Sequence, residues 1–360
     1  MFNKKLYSKI INQEKMLTSV LLYTEDEISF SSNKKIPTSG TLTAFAELAK
    51  ALANAGIKTY VYTDCESEYE SEHLIWKHYN NIAPVNVDLL VVNVRPVLFD
   101  KLTFIKAKHK LLWMHNEAKY LFKPKQIKFM LKHFPILLFS GKYHKSTMPW
   151  FYPSNKRIEI GYGIMEHLVD EPLPELPKPN AIFTSNPLRS LRWLVDIWAK
   201  KINPVLPNAE LIVYSGSQTY GSWGALVKKR MDVELDYARS FENYNVFIKD
   251  PLPKELLFEE VKSARLMLYK GDKSETFCLS IAEAQALGIP CVVGDLGSMR
   301  ERVQHGVTGY VTNNEEEFAK YALELFTNDE LWKKMSEAAK LSYANKNWGN
   351  FVEKLNQLIG

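Results

Sequence analysis

The chain has 360 residues, of which 46% are apolar and 24% charged, and its formal net charge at pH 7 is +5. This composition excludes disordered, fibrous and repetitive proteins, and at roughly 150 residues per domain the length suggests two domains. The three cysteines, Cys65, Cys278 and Cys291, are widely spaced, which argues against a disulfide framework or a zinc site and favours a reducing compartment.

The first sixteen residues, M-F-N-K-K-L-Y-S-K-I-I-N-Q-E-K-M, are basic but lack the apolar core of a secretory signal. No later stretch reaches the roughly 18 uninterrupted apolar residues of a transmembrane helix. We therefore expect a cytoplasmic protein.

Short apolar runs alternate with helical patterns in the first half of the chain. The helix Thr43–Asn54 has Phe45, Leu48 and Leu52 on one face and is followed by Gly56. Strands separated by helices imply crossover connections and a parallel, Rossmann-like sheet. The predicted strands are Leu17–Tyr23, Ile57–Thr63, Asp88–Asn93, Leu111–Met114 and Ile136–Ser140.

A basic stretch lies between Lys101 and Phe134, where nine lysines and the single acid Glu117 are interleaved with apolar residues. This alternation suits an anionic membrane surface on which the protein would be peripheral. The alternative is an ordinary solvated lysine face over core residues. The lysines are at 101, 106, 108, 110, 119, 123, 125, 128 and 132.

The segment 170–180 contains four prolines and is predicted to be a linker, since proline suits neither a helix nor a central strand. After it the alternation of strands and helices resumes. The predicted strands are Ala181–Ser185, Glu210–Tyr214, Asn245–Ile248, Arg265–Tyr269, Pro290–Gly294 and Gly309–Thr312; the predicted helices are Ser190–Lys201, Lys254–Ala264, Leu279–Leu287 and Glu315–Phe326.

The predicted fold class is therefore α/β, with two Rossmann-like domains facing each other across a cleft. We expect a first Rossmann-like domain over 1–169, a second over 181–340 and a C-terminal helix within 341–360 that packs on the first domain. Ligands of open parallel sheets bind beyond the carboxyl ends of the strands, so the cleft is the expected site.

Two acids, Glu275 and Glu283, flank the start of the predicted helix Leu279–Leu287 with seven residues between them. At about 100° per residue they point roughly 80° apart, so both could address one ligand. The amides from Phe277 to Ser280 would donate at the positive end of the helix. The alternative is an acid that interacts with the helix dipole and a second, exposed helix acid.

The stretch Y-K-G-D-K-S-E-T-F-C-L-S-I-A-E-A-Q-A-L-G-I-P-C-V-V-G-D-L-G-S-M-R-E-R-V-Q-H-G-V-T-G-Y-V, residues 269–311, resembles the donor site of the retaining glycosyltransferases of family 4. This family is also called group 1 and has the GT-B fold. The resemblance implies that the domain over 1–169 binds the acceptor and that the domain over 181–340 binds the nucleotide sugar. Looser similarity extends to residues 183–198 and to residues 37–63, which resemble the family's first nucleotide-domain segment and its glycine-rich N-terminal loop.

The resemblance implies that Glu283 binds the donor ribose and that Glu275 lies against the transferred sugar. It implies that Phe277, Cys278, Leu279 and Ser280 meet the diphosphate through their amides, that Arg189 neutralises it, and that Gly40 allows close approach of the backbone. His115 resembles a histidine that several members place near the reacting sugar. Surface, packing and turn roles are the alternatives for Arg189, His115 and Gly40, and Cys278 could also serve as a reactive thiol.

The chain also departs from the family pattern. Thr184 stands where many members have a second diphosphate-binding arginine, and Arg192 is the nearest substitute. Thr276 and Cys278 replace glycines that are common between the two glutamates.

The resemblance implies a retaining hexosyl- or N-acetylhexosaminyltransferase that uses a UDP- or GDP-sugar and a saccharide or lipid-linked acceptor. No D-x-D triplet occurs, so no metal or other cofactor is expected, and no nucleic-acid partner is expected either. A non-catalytic sugar-binding protein and a nucleotide-sugar epimerase of the same architecture are the alternatives.

Overall fold

The structure is a computed structural model that describes residues 16–28 and 37–359. Residues 1–15, in which no secretory signal is expected, lie outside the described part. By their internal contacts the described residues form two units: unit 1 comprises 16–28, 41–163 and 348–359, and unit 2 comprises 37–40 and 164–347. The proline-rich segment 170–180 thus lies within unit 2, and the last helix of the chain groups with unit 1.

Unit 1 is built on an eight-stranded sheet in the order β3-β4-β2-β1-β5-β6-β7-β8, parallel except for the short β3–β4 pair. Its strands are β1 (Ser19–Glu27), β2 (Lys58–Asp64), β3 (Tyr69–Glu70), β4 (Leu74–His78), β5 (Asn86–Asn93), β6 (Lys106–Trp113), β7 (Ile136–Phe139) and β8 (Arg157–Glu159). Its helices are α1 (Gly40–Asn54), α2 (Leu98–Lys101), α3 (Pro124–His133), α4 (Lys142–Ser146) and, last in the chain, α13 (Trp348–Ile359).

Helices cover the central strands of this sheet, which explains why β7 is buried at every position and β5 at all but its first. Trp113, at the end of β6, packs against Phe45 of α1 and against Trp348 and Phe351 of α13. The last helix is therefore part of the core of unit 1.

Unit 2 is built on a six-stranded, all-parallel sheet in the order β11-β10-β9-β12-β13-β14. Its strands are β9 (Asn180–Phe183), β10 (Glu210–Tyr214), β11 (Val246–Lys249), β12 (Leu266–Tyr269), β13 (Cys291–Val293) and β14 (Gly309–Val311). Its helices are α5 (Glu166–Asp170), α6 (Leu191–Ile197), α7 (Gly221–Arg239), α8 (Lys254–Lys262), α9 (Leu279–Ala286), α10 (Met299–Arg302), α11 (Glu315–Thr327) and α12 (Asp329–Leu341).

Two Rossmann-like α/β units are what the sequence predicts, and this fold class is confirmed. In unit 2 the chain builds outward from β9 to β11 on one side and from β12 to β14 on the other. The order of strands therefore reverses between β9 and β12, which is where open α/β sheets bind ligands. None of the described helices combines the length and the apolar character needed to cross a membrane.

Candidate active site in unit 2

Glu275 and Arg189 meet at this switch point. Arg189 lies in the loop after β9 and Glu275 in the loop after β12, and their side chains form an ion pair. The Tyr269 hydroxyl, at the end of β12, donates to the same Glu275 oxygen at 2.8 Å. Glu275 is only 7% exposed, so these two donors replace the water that its carboxylate loses.

The backbone of the loop fixes where Glu275 stands. Ser298 N–H donates to the Glu275 carbonyl at 2.9 Å. Gly297 next to it has φ +58°, and a Cβ at this position would lie 2.5 Å from the same carbonyl oxygen. Glycine is therefore required here by both the backbone angle and the space.

Arg189 is held on the other side of the site. Ser190, in the left-handed region with φ 68°, donates from its hydroxyl to the Gly271 carbonyl at 3.1 Å and so ties the two loops together. Burial alone would lower the pKa of Arg189, but the Glu275 carboxylate and Tyr269 outweigh it and the pKa is raised. The guanidinium is one-third exposed and stays charged.

Helix α9 begins beside this pair. Cys278 precedes it with φ 65°, and the first-turn amides of Leu279 and Ser280 have no partner within a helix that starts there. Burial raises the pKa of Cys278 to about 12, so the thiol stays protonated and a reactive thiolate is disfavoured. The Phe277 ring is buried under the Arg302 guanidinium, which lies 4.0 Å from the ring centroid.

Glu283 lies one turn into α9 and is 5% exposed. Lys254, the first residue of α8, contacts both of its carboxylate oxygens at 2.8 and 2.6 Å. Sequence reasoning missed Lys254. A weak signal was present in the sequence. A lysine at the start of a helix interacts unfavourably with the positive end of the helix dipole, and a nearby acid offsets this.

Gly40, the first residue of α1, groups with unit 2. A Cβ at position 40 would lie 3.5 Å from the Cβ of Leu279, which is ordinary van der Waals contact. The structure therefore brings Gly40, Arg189, Glu275, Glu283 and the start of α9 into one unit. Arg192, by contrast, pairs with Glu234 and lies 3.7 Å from the centroid of the Tyr237 ring.

His115 lies in unit 1, two residues after β6. Its Nε2 contacts the amide oxygen of Asn93 at 2.7 Å, and its Nδ1 bonds to the Tyr162 hydroxyl. Because an amide oxygen only accepts, Nε2 carries the proton and Nδ1 accepts from Tyr162. Burial lowers the pKa of His115 to about 3, so the imidazole is neutral at pH 7.

Comparison with known proteins agrees with this architecture. The model of the family "Glycosyl transferases group 1" matches residues 233–342, which include Lys254, Glu275 and Glu283. Over 79 residues the chain is 38% identical to N-acetyl-alpha-D-glucosaminyl L-malate synthase of Bacillus anthracis, a match that covers 21% of this chain and 20% of that protein. The chain thus matches about a fifth of the length of this curated relative.

Solved structures resemble almost the whole chain. Sucrose-phosphate synthase from Thermosynechococcus elongatus superposes with a TM-score of 0.71 at 14% identity, covering 95% of this chain and 98% of that one. Anabaena Alr3699/HepE, in complex with UDP and glucose, superposes with a TM-score of 0.70 at 13% identity, covering 95% and 99%. Residues 233–342 match the model of the glycosyl transferases group 1, and the fold of the chain is that of the GT-B glycosyltransferases it resembles.

Proposed function

We propose that this chain is a glycosyltransferase that moves a sugar from a nucleoside-diphosphate sugar to a hydroxyl of a saccharide, a lipid-linked saccharide or another acceptor. The observation that carries the proposal is the Arg189–Glu275 ion pair at the switch point of unit 2. It supplies a charged donor and a charged acceptor beside the start of α9, within reach of one ligand. Glu283, on the same helix, adds a second carboxylate.

In the proposed reaction the bond from the anomeric carbon to the β-phosphate oxygen breaks, and a bond to the acceptor oxygen forms on the same face. The acceptor's proton passes to the departing phosphate oxygen, so no dedicated base is needed. Arg189 and the first-turn amides of α9 stabilise the negative charge that develops on the diphosphate. Glu275 accepts a hydrogen bond from a hydroxyl of the transferred sugar. The diphosphate competes with Glu275 for Arg189.

Glu283 accepts from the donor ribose, as carboxylates do with paired hydroxyls. Lys254 already contacts both of its oxygens, so the ribose hydroxyls would share the carboxylate with Lys254. We place His115 on the sugar side as a neutral imidazole. Its low pKa, caused by burial, keeps it neutral at pH 7 and makes it a weak base.

The donor is a UDP- or GDP-sugar carrying a hexose or N-acetylhexosamine, and the transfer is independent of a metal ion. A solved structure in complex with UDP and glucose supports the UDP-sugar, and a curated relative named N-acetyl-alpha-D-glucosaminyl L-malate synthase supports an N-acetylhexosamine. We assign donor binding to unit 2 and acceptor binding to unit 1. We also propose a cytoplasmic enzyme that meets an anionic membrane through lysines 101–132.

The test is a panel of UDP- and GDP-sugars with saccharide and lipid-linked acceptors, followed by nucleoside diphosphate release. Glu283→Ala removes hydrogen bonds to a charged group, each worth about 1.5–3 kcal/mol, so donor affinity should fall roughly ten- to a hundredfold. Glu275→Gln should reduce turnover. Glu337→Ala, an exposed acid on α12, is the matched control and should behave as the unmodified chain does.

Unchanged donor affinity in Glu283→Ala would contradict the assignment. Donor binding without turnover on any acceptor would favour the non-catalytic alternative, and isomerised donor without acceptor would favour an epimerase. NMR of the product's anomeric centre decides retention, and an inverted configuration would overturn that part of the proposal.

A further inference from the structure

Two adjacent aromatic side chains of unit 1 are exposed to solvent. Trp150 is 88% exposed and Phe151 is 70% exposed, and their rings pack edge-to-face on each other at 5.8 Å. Aromatic residues usually bury about 150–250 Å² of surface each. An adjacent pair that stays exposed therefore marks a surface that contacts another protein or a membrane.

The backbone under this pair is firmly held. Arg157 donates to the carbonyls of Trp150 at 3.1 Å and Tyr152 at 2.7 Å. The Tyr152 hydroxyl donates to the Leu121 carbonyl at 2.7 Å, and the Tyr152 ring packs on Phe122 at 5.6 Å. The exposure of Trp150 and Phe151 is therefore built into the fold, and the loop lies beside the segment that leads into α3.

The segment that leads into α3, and α3 itself, are basic. Part of this charge has no acidic partner among the described residues of unit 1. Lys101, Lys108, Lys119 and Lys132 of the basic stretch form ion pairs with acidic side chains. Lys123, Lys125 and Lys128 are exposed and have no acidic side chain within ion-pair distance among the described residues. The first turn of α3 has no acid, although acids are favoured there.

The exposed side of helix α3 also combines lysines with an apolar side chain. Lys125, Lys128 and Leu131 lie three residues apart along its exposed side, and Leu131 is 62% exposed. Lys145, exposed on α4, adds a further charge five residues before Trp150. We call the set of Phe122, Lys123, Lys125, Lys128, Leu131, Lys145, Trp150 and Phe151 the Trp150 surface.

We propose that the Trp150 surface docks unit 1 onto a lipid leaflet with anionic headgroups. Tryptophan with a neighbouring phenylalanine suits the boundary between headgroups and acyl chains, and unpaired lysines suit lipid phosphates. The inference rests on the proposed function in one respect: it explains how a lipid-linked acceptor would be met. Of the nine lysines between 101 and 132, we thereby limit the membrane contact to Lys123, Lys125 and Lys128. The aromatic pair of Trp150 and Phe151 completes this contact.

The test is co-sedimentation of the full chain with vesicles of phosphatidylcholine alone or mixed with phosphatidylglycerol. The unmodified chain should bind only the mixed vesicles, and the binding should weaken with salt because the charge term is screened within about 10 Å at 0.1 M. Lys123→Glu/Lys125→Glu/Lys128→Glu should lose at least about 100-fold in affinity, since each lysine near such a surface contributes roughly fivefold and each new glutamate adds repulsion.

Trp150→Ala/Phe151→Ala should also weaken binding, but the residual binding should keep its salt dependence. Trp223→Ala, a 47% exposed tryptophan on α7, and Lys333→Glu/Lys334→Glu, on the exposed side of α12, are the matched controls and should bind as the unmodified chain does. UDP and GDP binding, measured on the same variants by thermal shift, should be unchanged.

Equal binding to both vesicle types, or full binding by the Trp150 surface variants, would overturn the inference. So would a dimer in gel filtration that the Trp150→Ala/Phe151→Ala change dissolves without any vesicle binding, because the occupant would then be a second copy. Loss of vesicle binding with intact nucleotide binding concerns this surface alone and leaves the proposed function standing.

Discussion

Glu283 and Lys254 form a largely enclosed ion pair in which both carboxylate oxygens are used. Counting side-chain atoms alone, Glu283 is 7% exposed and Lys254 is 16% exposed, so water screens the pair little. Removing one partner of such a pair leaves the other as an uncompensated charge, which costs about 3–5 kcal/mol when burial is complete. The pair therefore couples the stability of unit 2 to the geometry of its proposed ribose site.

We expect Lys254→Met to lower the unfolding free energy by about 3 kcal/mol, at the low end because Lys254 keeps some water. Lys254→Arg keeps the charge and should lose less, and Lys333→Met, an exposed lysine on α12, should lose almost nothing. Urea unfolding measures the first effect, and titration with UDP or GDP should show weakened binding. A Lys254→Met variant as stable as the unmodified chain would contradict the pairing.

Two buried histidines of unit 1 predict an acid-sensitive fold. Burial lowers the pKa of His115 to about 3 and that of His144 to about 4. In the unfolded chain both imidazoles take up protons near pH 6.5, whereas in the folded chain they do so only near pH 3 and 4. Between these values protons bind preferentially to the unfolded state, so the unfolding free energy should fall as the pH drops below about 6.5.

Chemical denaturation at a series of pH values tests this. His115→Asn or His144→Asn should flatten the slope between pH 6.5 and 4, even if each also lowers stability at pH 7. His73→Asn, at a partly exposed position, is the control and should keep the slope of the unmodified chain. A slope that stays as steep as that of the unmodified chain in both buried variants would contradict the assignment.

At the scale of elements, strands were the predictable part. Fully apolar runs such as β7 and β12 are buried on both faces, and the sequence places them within one or two residues. Helix α7, Gly221–Arg239, was missed because its apolar residues do not mark one buried face: Trp223, Leu226 and Val233 are exposed. The predicted helix Ser190–Lys201 is instead α6 followed by a π-helical turn over Trp198–Ile202.

The residues of the candidate site also divide into those that the sequence reveals and those that only the folded chain reveals. Glu275, Glu283 and Arg189 stand in motifs that a single sequence reveals. Lys254 does not, because it meets Glu283 only when α8 and α9 pack together across 29 residues of chain. The bonding of His115 likewise depends on Asn93 and Tyr162, which come from separate parts of unit 1.

Two glycines of unit 2, one in the loop after β13 and one in the loop after α10, form a matched pair for substitution. Gly297 and Gly306 both have positive φ, at +58° and +76°, but only Gly297 is crowded, by the carbonyls of Glu275 and Asp272. Gly306→Ala should cost about 1–2 kcal/mol, the cost of the left-handed conformation alone. Gly297→Ala should cost more and should also reduce turnover, because the carbonyl of Glu275 has to move.

Thermal unfolding and nucleoside diphosphate release compare the two variants. If Gly297→Ala lost no more stability than Gly306→Ala and kept full turnover, the backbone at Glu275 would not control the site.

At the scale of the whole molecule, every donor-site residue we propose except His115 belongs to unit 2. Hydrogen exchange with excess UDP or GDP should therefore slow at the loop after β9 and over residues 271–286, where amides gain a diphosphate partner. Helix α13 follows unit 2 in the chain but packs on Trp113 of unit 1, so its exchange should change little.

Glu283→Ala supplies the control for this exchange experiment, because it should remove the protection over 271–286 at the same nucleotide concentration. A binding site that used mainly unit 1 would give the opposite map, with protection after β6 and none at the start of α9. The distribution of protection along the chain thus distinguishes donor binding by unit 2 from any other location of the nucleotide, without knowledge of the sugar or the acceptor.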